Sequence, residues 1–451
     1  MTTTPAAKAE VERLLTRFEQ ASPATINLGL ERIKDALQRL GDPHLSLPPV
    51  IHVAGTNGKG STVAFMRTIL AAAGLRVHTY TSPHLLRFNE RIVVAGEQIG
   101  DEQLAQVLGR CEAAAGDLPL TYFEAATAAA FLAFAETPGD AVLLETGLGG
   151  RLDATNVVPD PRAAVITPLG MDHMDWLGET IAEIAFEKAG IIKESSVMVT
   201  GAQRPEALEV LRNRALALGA DQHILGEDWQ LSREGSGFTY EDENGLSDLK
   251  LPRLHGSHQI DNAGLAVAAL KASGLEPDDD FISMGIEAAE WPARLERMKP
   301  GPLTSIVTRH AGDPGELWLD GGHNPHAANV LARTMADLEE RSPRPLVLIV
   351  GIGKNKDPVG FLKPFADLAS AVLTVPFGRP IAYDPETLAE EAQTAGLPAR
   401  AMTSLDAALE HAVSAFGRSG EGTPRVLICG SLYLAAEALE KNGQPAGWTA
   451  G

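Results

Sequence analysis

The residues from Val53 to Thr62 are the clearest candidates for chemistry, because an apolar stretch, a glycine-rich turn and a predicted helix start follow one another within ten positions. The glycines let backbone N–H groups crowd an anion, Lys59 adds positive charge, and the helix start adds its partial positive end. Two features depart from the usual P-loop: Val53 stands where a glycine is expected, and Gly60 separates Lys59 from Ser61. The stretch predicts a phosphate-binding loop, and an ordinary turn with a solvated lysine is the alternative.

Three further polar clusters each follow a predicted buried strand: Thr81–His84, Glu145–Asn156 and Gly170–Asp175. Open α/β sheets place their ligands at the carboxyl ends of strands. Glu145 is well placed to hold a hydrated metal near phosphates, since it ends a buried strand and glycines follow it. A turn or a helix cap would explain Ser82 alone, but three such clusters behind a phosphate loop favour a functional site.

Two more groups have both a structural and a functional interpretation. Lys188 lies near the end of a helix predicted from 180 to 191, where the helix dipole favours a solvated lysine. Asp320 and His323 follow the predicted strand at Trp318–Leu319, and such residues commonly cap a helix start. If they share one ATP site with the phosphate loop, two domains must close on each other and exclude water.

Composition limits the classes of protein to which the chain can belong. Its 451 residues exceed what one hydrophobic core usually supports, so two domains are expected. The 59 acidic and 38 basic residues give a net charge of −21, which argues against nucleic acid or an anionic membrane as partner. Cys111 and Cys429 form no disulfide framework and are interpreted as core thiols. Without a signal or transmembrane pattern, we expect a cytoplasmic monomer whose partners are small molecules.

The order of predicted elements indicates an α/β protein with two domains. Residues 1–298 should form a P-loop parallel-sheet ATPase domain that also binds the substrate, with a small hairpin region at 223–251. Pro300–Pro302 reads as a linker, because a Pro-Gly-Pro sequence breaks regular structure. Residues 303–451 should form a smaller α/β domain with its own mostly parallel sheet.

Taken together, these blocks resemble the folylpolyglutamate synthase and dihydrofolate synthase branch of the Mur ligases. The phosphate loop resembles that family's variant, including Gly60. Other blocks follow in family order over nearly the whole chain: Thr81–His84, Glu145–Asn156, Gly170–Asp175, Glu187–Ile191, His258–Asn262, Pro292–Leu295 and Leu319–Pro325. Gly321 and Gly322 are unusual, since bulkier residues are expected there.

The resemblance implies ATP-dependent amide formation, in which a carboxylate is phosphorylated and the amino group of L-glutamate attacks the acyl phosphate. It implies that ATP is bound by Asn57, Gly58, Lys59, Gly60, Ser61, Asn262, Arg294 and Asp320. It implies two magnesium ions, with Ser82, Glu145 and His173 as ligands, and a carbamoylated Lys188 that helps to hold the second ion. Lys59, Lys188 and His323 would act in catalysis, with His323 near the transferred phosphate or the incoming glutamate.

The resemblance also places the acid substrate, which would be dihydropteroate or a folate. Three segments would contact it: Leu28, Gly29 and Leu30; Tyr122, Phe123, Glu124 and Ala125; and Asp153, Ala154 and Thr155. The sequence does not decide whether the first glutamate is added to dihydropteroate, folates are extended, or both reactions occur.

Other functions stay open. A peptidoglycan Mur ligase would carry a nucleotide-sugar domain before the phosphate loop, and only about fifty residues precede it. A P-loop regulatory NTPase would leave the Asp320 cluster without a role. A non-catalytic relative is disfavoured because Lys59, Glu145 and His173 are all present.

Overall fold

A computed structural model describes residues 4–22, 28–309, 314–416 and 423–444. The chain divides into two compact units. Within the described residues, the first unit contains the chain up to Arg253 together with Ile260–Ala289, and the second contains Leu254–Gln259 and the chain from Glu290. No helix in these ranges is both long and apolar enough to cross a membrane.

The first unit is built on a large sheet and a small one. Its strands are β1 (Val50–Ala54), β2 (Val77–Tyr80), β3 (Ile92–Val94), β4 (Glu97–Gln98), β5 (Ala141–Glu145), β6 (Ala163–Ile166), β7 (Val197–Thr200), β8 (Gln222–Ile224), β9 (Trp229–Glu234), β10 (Gly237–Asp242) and β11 (Gly245–Lys250). The eight-stranded sheet has the order β4-β3-β2-β5-β1-β6-β7-β8. Neighbouring strands in the run β2-β5-β1-β6-β7-β8 pair in parallel. At one edge of the sheet, β3 is antiparallel to both β2 and β4. The predicted hairpin region is the antiparallel sheet β9–β11.

The central strands of the large sheet are buried at every residue, because helices cover the faces of a parallel sheet. Up to residue 289 the helices are α1 (Pro5–Ala21), α2 (Glu31–Arg39), α3 (Lys59–Ala72), α4 (Asp101–Ala115), α5 (Tyr122–Glu136), α6 (Met174–Leu177), α7 (Ile181–Ala189), α8 (Pro205–Leu218), α9 (Ser257–Ala272) and α10 (Asp279–Ala288). Short 3-10 turns lie at Pro43–Leu45, Phe88–Arg91 and Ala154–Val157. The buried helix α5 is rich in alanine, which lets neighbouring backbones approach closely.

The second unit repeats the α/β pattern on a smaller scale. Its strands are β12 (Glu296–Arg297), β13 (Glu316–Leu319), β14 (Leu346–Val350), β15 (Ala369–Thr374), β16 (Ala399–Ala401) and β17 (Arg425–Cys429), in the order β12-β13-β17-β14-β15-β16. Only the edge pair of β12 and β13 is antiparallel among them. The helices are α11 (Pro302–Val307), α12 (Pro325–Arg341), α13 (Pro358–Leu362), α14 (Pro385–Thr394), α15 (Leu405–Phe416) and α16 (Leu432–Lys441), with a 3-10 turn at Lys363–Phe365. The expectation of a mostly parallel second sheet is confirmed.

The boundary between the units differs from the prediction of 298 and 303. The second unit begins at Glu290 and includes Leu254–Gln259, since β12 pairs with β13 and belongs to the second sheet. Pro300–Pro302 is therefore no linker between the units. A Cβ at Gly301 would lie 2.2 Å from the carbonyl oxygen of Asn442, so the chain packs closely there.

Candidate active site

The predicted phosphate loop joins β1 to α3, and two of its glycines are required by close contacts. A Cβ at Gly55 would lie 1.8 Å from Oγ1 of Thr167, just beyond β6, and one at Gly58 would lie 2.5 Å from Oδ1 of Asn262, in α9. Gly58 also has a φ of 88°, in the left-handed region that favours glycine. The Thr167 hydroxyl donates to the carbonyl of Asn57 at 2.7 Å. Neighbouring elements thus fix the loop, and Asn262, a predicted ATP contact, lies beside it.

Lys59, Glu145 and Ser82 are brought together at the carboxyl ends of β1, β5 and β2. Lys59 Nζ donates to the carbonyl of Gly55 at 3.1 Å and lies 4.0 Å from Glu145 Oε1. Glu145 Oε2 accepts a hydrogen bond from the backbone N–H of Ser82 at 3.3 Å. A buried carboxylate beside a serine offers the hard oxygen donors that Mg²⁺ prefers. The donor set at this strand end therefore fits magnesium.

His173, the third predicted metal ligand, lies in a different setting. It precedes α6 with a left-handed φ of 51°, and its side chain is 43% exposed. Its Nε2 lies 3.9 Å from Oδ2 of Asp172. Among the residues that the structure describes, no group of three or more His, Cys, Asp or Glu side chains is arranged to hold a metal ion. The role of His173 as a ligand stays a prediction.

Lys188 is buried and does not have the solvated position that its place at a helix end suggested. Only 5% of the residue is exposed, and its Nζ donates to the carbonyl of Gly55 at 2.8 Å. Burial, and then the charge of Lys59, lower the pKa of Lys188 to about 7, although Asp172 and Asp153 oppose the shift. Two lysines thus converge on one carbonyl of the phosphate loop, and a substantial fraction of Lys188 is uncharged at neutral pH.

Asp153 and Thr155 form a buried network that holds the loop after Glu145. Asp153 Oδ2 accepts hydrogen bonds from the backbone N–H groups of Gly147 at 2.9 Å and Leu148 at 2.8 Å. Its Oδ1 accepts from the Thr155 hydroxyl at 2.5 Å. The hydroxyl oxygen of Thr155 also lies 2.8 Å from Nε2 of His52. Burial raises the pKa of Asp153, against the lowering effect of these bonds. The network connects β1 to the predicted substrate segment 153–155, which includes the buried Ala154.

The predicted segment from Tyr122 to Ala125 begins α5. Thr121 and Glu124 form a capping box, in which the Glu124 carboxylate accepts from the Thr121 N–H at 2.8 Å. The same carboxylate forms an ion pair with Arg32 of α2 at 3.0 Å. Ala125 is buried, and Phe123 packs on Gly147, where a Cβ would lie 2.4 Å from the ring. Glu124 therefore has a clear structural role, and its contact with substrate stays a prediction.

The predicted segment from Leu28 to Leu30 leads into α2. These three residues are half-buried, and Leu30, like Tyr122 and Phe123, packs against the hydrophobic core cluster of this unit. The residues 23–27 that precede them lie outside the described part of the chain. Leu30 and the start of α5 thus border the same core cluster.

In the second unit, Asp320 is a buried carboxylate at the end of β13. Its Oδ2 accepts from the backbone N–H of Leu295 at 2.8 Å, and its Oδ1 accepts from that of Gly322 at 2.5 Å. Burial raises the pKa of Asp320, and the charge of Arg294 and the two hydrogen bonds act against that shift. Ala293 and Leu295 have left-handed φ values of 56° and 45°, so the backbone on each side of Arg294 is constrained. Asp320 and Arg294, both predicted ATP contacts, are thus neighbours.

The two unexpected glycines after Asp320 are explained by packing. A Cβ at Gly321 would lie 2.3 Å from a methyl carbon of Leu432, and one at Gly322 would lie 2.7 Å from Asp320 Oδ1. His323 Nδ1 lies 2.9 Å from the carbonyl oxygen of Gly321. The helix cap itself is Asn324, which accepts from the N–H of Ala327 at 2.8 Å. Neither Asp320 nor His323 caps α12, so the simpler structural explanation of them is wrong.

Two residues at the site, His52 and Asp172, were not assigned an individual role from the sequence. His52 lies in an otherwise apolar strand sequence, and Asp172 is one of several polar residues in the cluster Gly170–Asp175. The partner of each is distant in sequence: His52 contacts Thr155, and Asp172 acts on the charge of Lys188. A histidine inside an otherwise apolar strand is the one clue that could have singled out His52.

The family models agree with this geometry. The model of the Mur ligase middle domain matches residues 53–270, and that of the dihydrofolate synthetase C-terminal domain matches residues 304–441. The dihydrofolate synthase/folylpolyglutamate synthase of Escherichia coli is 34% identical over 438 residues, which are 97% of this chain and 96% of the relative. The Bacillus subtilis protein of the same name is 37% identical over 430 residues, covering 92% of this chain and 94% of the relative.

Solved structures show the same similarity. Escherichia coli FolC in complex with DHPP and ADP aligns with a TM-score of 0.85 at 34% identity, covering 97% of this chain and 98% of that one. Mycobacterium tuberculosis folylpolyglutamate synthase complexed with ADP and AMPPCP aligns with a TM-score of 0.85 at 32% identity, covering 98% and 99%. A bifunctional folylpolyglutamate synthase/dihydrofolate synthase with Mn, AMPPNP and L-glutamate bound aligns with a TM-score of 0.83 at 33% identity, covering 97% and 99%. The chain therefore belongs to the dihydrofolate synthase/folylpolyglutamate synthase family of Mur ligases.

Proposed function

We propose that this protein uses ATP to join L-glutamate to dihydropteroate, to folates, or to both. The carboxylate of the acid substrate attacks the terminal phosphorus of ATP, and ADP leaves as the acyl phosphate forms. The amino group of glutamate then attacks the acyl carbon, phosphate leaves, and an amide bond is formed. The relatives named above support both acid substrates, since their names join the two activities.

One observation carries the proposal: Lys59, Lys188 and Glu145 surround the phosphate loop. The Nζ atoms of both lysines donate to the carbonyl of Gly55, and Lys59 lies 4.0 Å from the Glu145 carboxylate. Bringing a carboxylate to a phosphate joins two anions, so the fixed positive charge of Lys59 at the loop lowers the barrier. Asn57, Gly58, Gly60 and Ser61 would hold the phosphates with Lys59. Asn262, Arg294 and Asp320 are also assigned to ATP binding.

Ser82, Glu145 and His173 would hold magnesium, and the ions would neutralise phosphate charge when bound. Their number is proposed as two. Glu145 is held by the Ser82 N–H, which fixes the carboxylate for a ligand role without using all its lone pairs. A divalent metal is consistent with the relative that binds Mn together with AMPPNP and L-glutamate.

Carbamoylation of Lys188 is the least obvious part of the proposal. A neutral amine adds to CO₂ and releases one proton, giving a carbamate anion, and a pKa lowered to about 7 supplies the neutral amine. The nearby Lys59 charge, which disfavours an ammonium at Lys188, favours an anion at the same position. Such an anion could contribute an oxygen ligand to the second magnesium.

We place the acid substrate along Leu28–Leu30, Tyr122–Ala125 and Asp153–Thr155, and we assign His323 to the transferred phosphate or the incoming glutamate. We also propose that the protein works as a cytoplasmic monomer without nucleic-acid or membrane partners. The first unit would bind the phosphates of ATP and the acid substrate, and the second unit would be the glutamate-ligase domain.

The decisive experiment measures ADP release with each substrate omitted in turn and counts the added glutamates by mass spectrometry. We expect ADP release to require an acid substrate and full turnover to require L-glutamate as well. Lys59→Ala serves as the inactive control. A regulatory NTPase would release ADP at the same rate with neither substrate, and that result would overturn the proposal.

A further inference from the structure

Arg91 is a buried cation outside the residues assigned so far. It ends the 3-10 turn that precedes β3, and only 8% of the residue is exposed. Its Nε donates to Nδ1 of His84 at 2.9 Å. Its guanidinium lies 5.6 Å from the centre of the Phe88 ring and 5.7 Å from that of Tyr122. One histidine and two aromatic rings therefore fix the orientation of the guanidinium group.

Arg91 has no carboxylate partner within the described residues, and the acidic groups nearby in sequence are occupied. Glu90 accepts hydrogen bonds from the backbone N–H groups of Leu85, Leu86 and Arg87. Asp101 forms an ion pair with Arg87 at 2.8 Å. A charged residue that is nine-tenths buried is costly unless an anion compensates its charge. The remaining N–H groups of Arg91 thus favour an anionic ligand.

The position of Arg91 indicates which anion that is. Its carbonyl accepts from the backbone N–H of Thr81, so its backbone lies beside the strand end that carries Ser82. Its guanidinium lies on Tyr122, the first residue of the predicted acid-binding segment of α5. Arg91 is therefore placed between the proposed metal site and that segment. Folates differ from dihydropteroate there, because they carry an α-carboxylate next to the side chain whose γ-carboxylate is extended.

We propose that Arg91 binds the non-reacting α-carboxylate of folate substrates. A guanidinium fork with one edge fixed by His84 presents paired N–H groups that match a carboxylate. Dihydropteroate lacks this group, since its only carboxylate is the one that reacts. Arg91 is thus a specificity-determining residue for glutamate-chain extension and not for the first glutamate addition. The inference rests on the proposed function and adds the group that separates its two acid substrates.

The test compares Arg91→Gln with wild type on three acids: dihydropteroate, a reduced folate monoglutamate, and an analogue with γ-aminobutyrate in place of glutamate. The analogue keeps the reacting carboxylate and lacks only the α-carboxylate. We expect the substitution to raise KM for the folate by about 10- to 100-fold, as loss of a charge-assisted hydrogen-bond pair implies. KM values for dihydropteroate and for the analogue should stay within about twofold of wild type.

Two further variants keep the result interpretable. Arg91→Lys keeps the charge and loses the fork, so it should raise KM for the folate by an intermediate factor and leave the melting temperature near that of wild type. Arg110→Gln removes a surface arginine that pairs with Glu136, and it should change none of the three KM values.

Each outcome decides the assignment. An equal rise in KM for all three acids from both Arg91 variants would place Arg91 at the reacting carboxylate or in the scaffold, and would overturn it. Unchanged KM for the folate would also overturn it, as would a wild-type enzyme that accepts no folate. A wild type that accepts only folates would narrow the proposed function, and the folate and analogue would still test Arg91.

Discussion

The carboxyl ends of the two parallel sheets present opposite arrangements of charge. In the first unit, two lysines converge on the Gly55 carbonyl with one carboxylate, Glu145, within 4.0 Å of Lys59. In the second unit, the buried carboxylate of Asp320 accepts from two backbone N–H groups and faces the charge of Arg294. The first arrangement suits phosphate and metal, and the second suits a neutral donor such as a ribose hydroxyl. We propose that these strand ends, in two sheets of the same fold class, serve different parts of one reaction.

The largest expected effect is that of Lys59→Ala. Loss of the ammonium that faces phosphate should lower kcat by about 10³-fold, toward the lower end of cationic effects in phosphoryl transfer. The ammonium donates to the loop carbonyls of Gly55 and Thr56, so we expect the melting temperature to change little. Steady-state kinetics and thermal unfolding are measured together, and a near-normal kcat would remove Lys59 from the phosphate site.

Lys188→Ala should be the next most severe change. If a carbamate on Lys188 holds a metal, its loss should lower kcat by about 10²-fold, the upper range for disturbed metal sites. Added acetate should restore part of the rate, because it can supply the missing anionic oxygen. Lys193→Ala, at a half-buried lysine in the following loop, should show no acetate-dependent rescue. Wild-type activity of Lys188→Ala would mean that the lysine is only structural.

The same lysine predicts a pH-dependent stability difference in CO₂-free buffer. Above pH 10.5 Lys188 is neutral in both the folded and unfolded states. As pH falls toward 7 the unfolded chain takes up a proton that the folded chain does not, so this group destabilises wild type progressively. The free energy of unfolding of Lys188→Met minus that of wild type should therefore increase by roughly 1.4 kcal/mol for each unit by which pH falls across that range. Urea unfolding at several pH values measures it, and a flat difference would contradict the lowered pKa.

Glu145→Gln should change metal dependence more than maximal rate. A neutral amide binds a hard cation more weakly than a carboxylate does. The magnesium concentration for half-maximal rate should rise by about tenfold, which corresponds to roughly 1.4 kcal/mol. A magnesium titration with saturating ATP and acid substrate tests this, and an unchanged midpoint would exclude Glu145 as a ligand.

Asp320→Asn should give the smallest effect and tests the second sheet edge. Asparagine keeps one acceptor oxygen but presents an amide N–H₂ to the second of the two backbone donors. We expect the melting temperature to fall, because losing one buried hydrogen bond costs about 1 kcal/mol. We also expect KM for ATP to rise by about fivefold, because a free-energy loss of that size weakens binding by about this factor. Asp384→Ala, which removes the exposed cap of α14, should lower the melting temperature without changing KM for ATP. Equal KM effects of the two variants would refute a nucleotide role for Asp320.

Much of the fold follows from local pattern. The strands β1, β2, β5 and β6 lie where the sequence predicts them, before the phosphate loop and the three polar clusters, because continuous apolar runs identify buried parallel strands. The short edge strands β12 and β16 escaped prediction, since two or three partly polar residues carry no periodicity. The unit boundary was misplaced because Pro300–Pro302 breaks regular structure locally, whereas its packing on Asn442 involves residues about 140 positions away.

The sequence by itself determined which chemistry is available: a glycine-rich loop with a lysine, carboxylates at strand ends, and blocks in the order of a known family. Only the tertiary structure decided which groups meet and in what environment. Lys188 is a dipole-favoured surface lysine by local rules, yet it is buried against Gly55, 133 positions away, with its pKa lowered. Arg91 lies four positions from Arg87, and only its packing distinguishes it from that paired arginine. The physical reason is that spacing encodes backbone preference, whereas desolvation and charge pairing depend on residues that folding brings together.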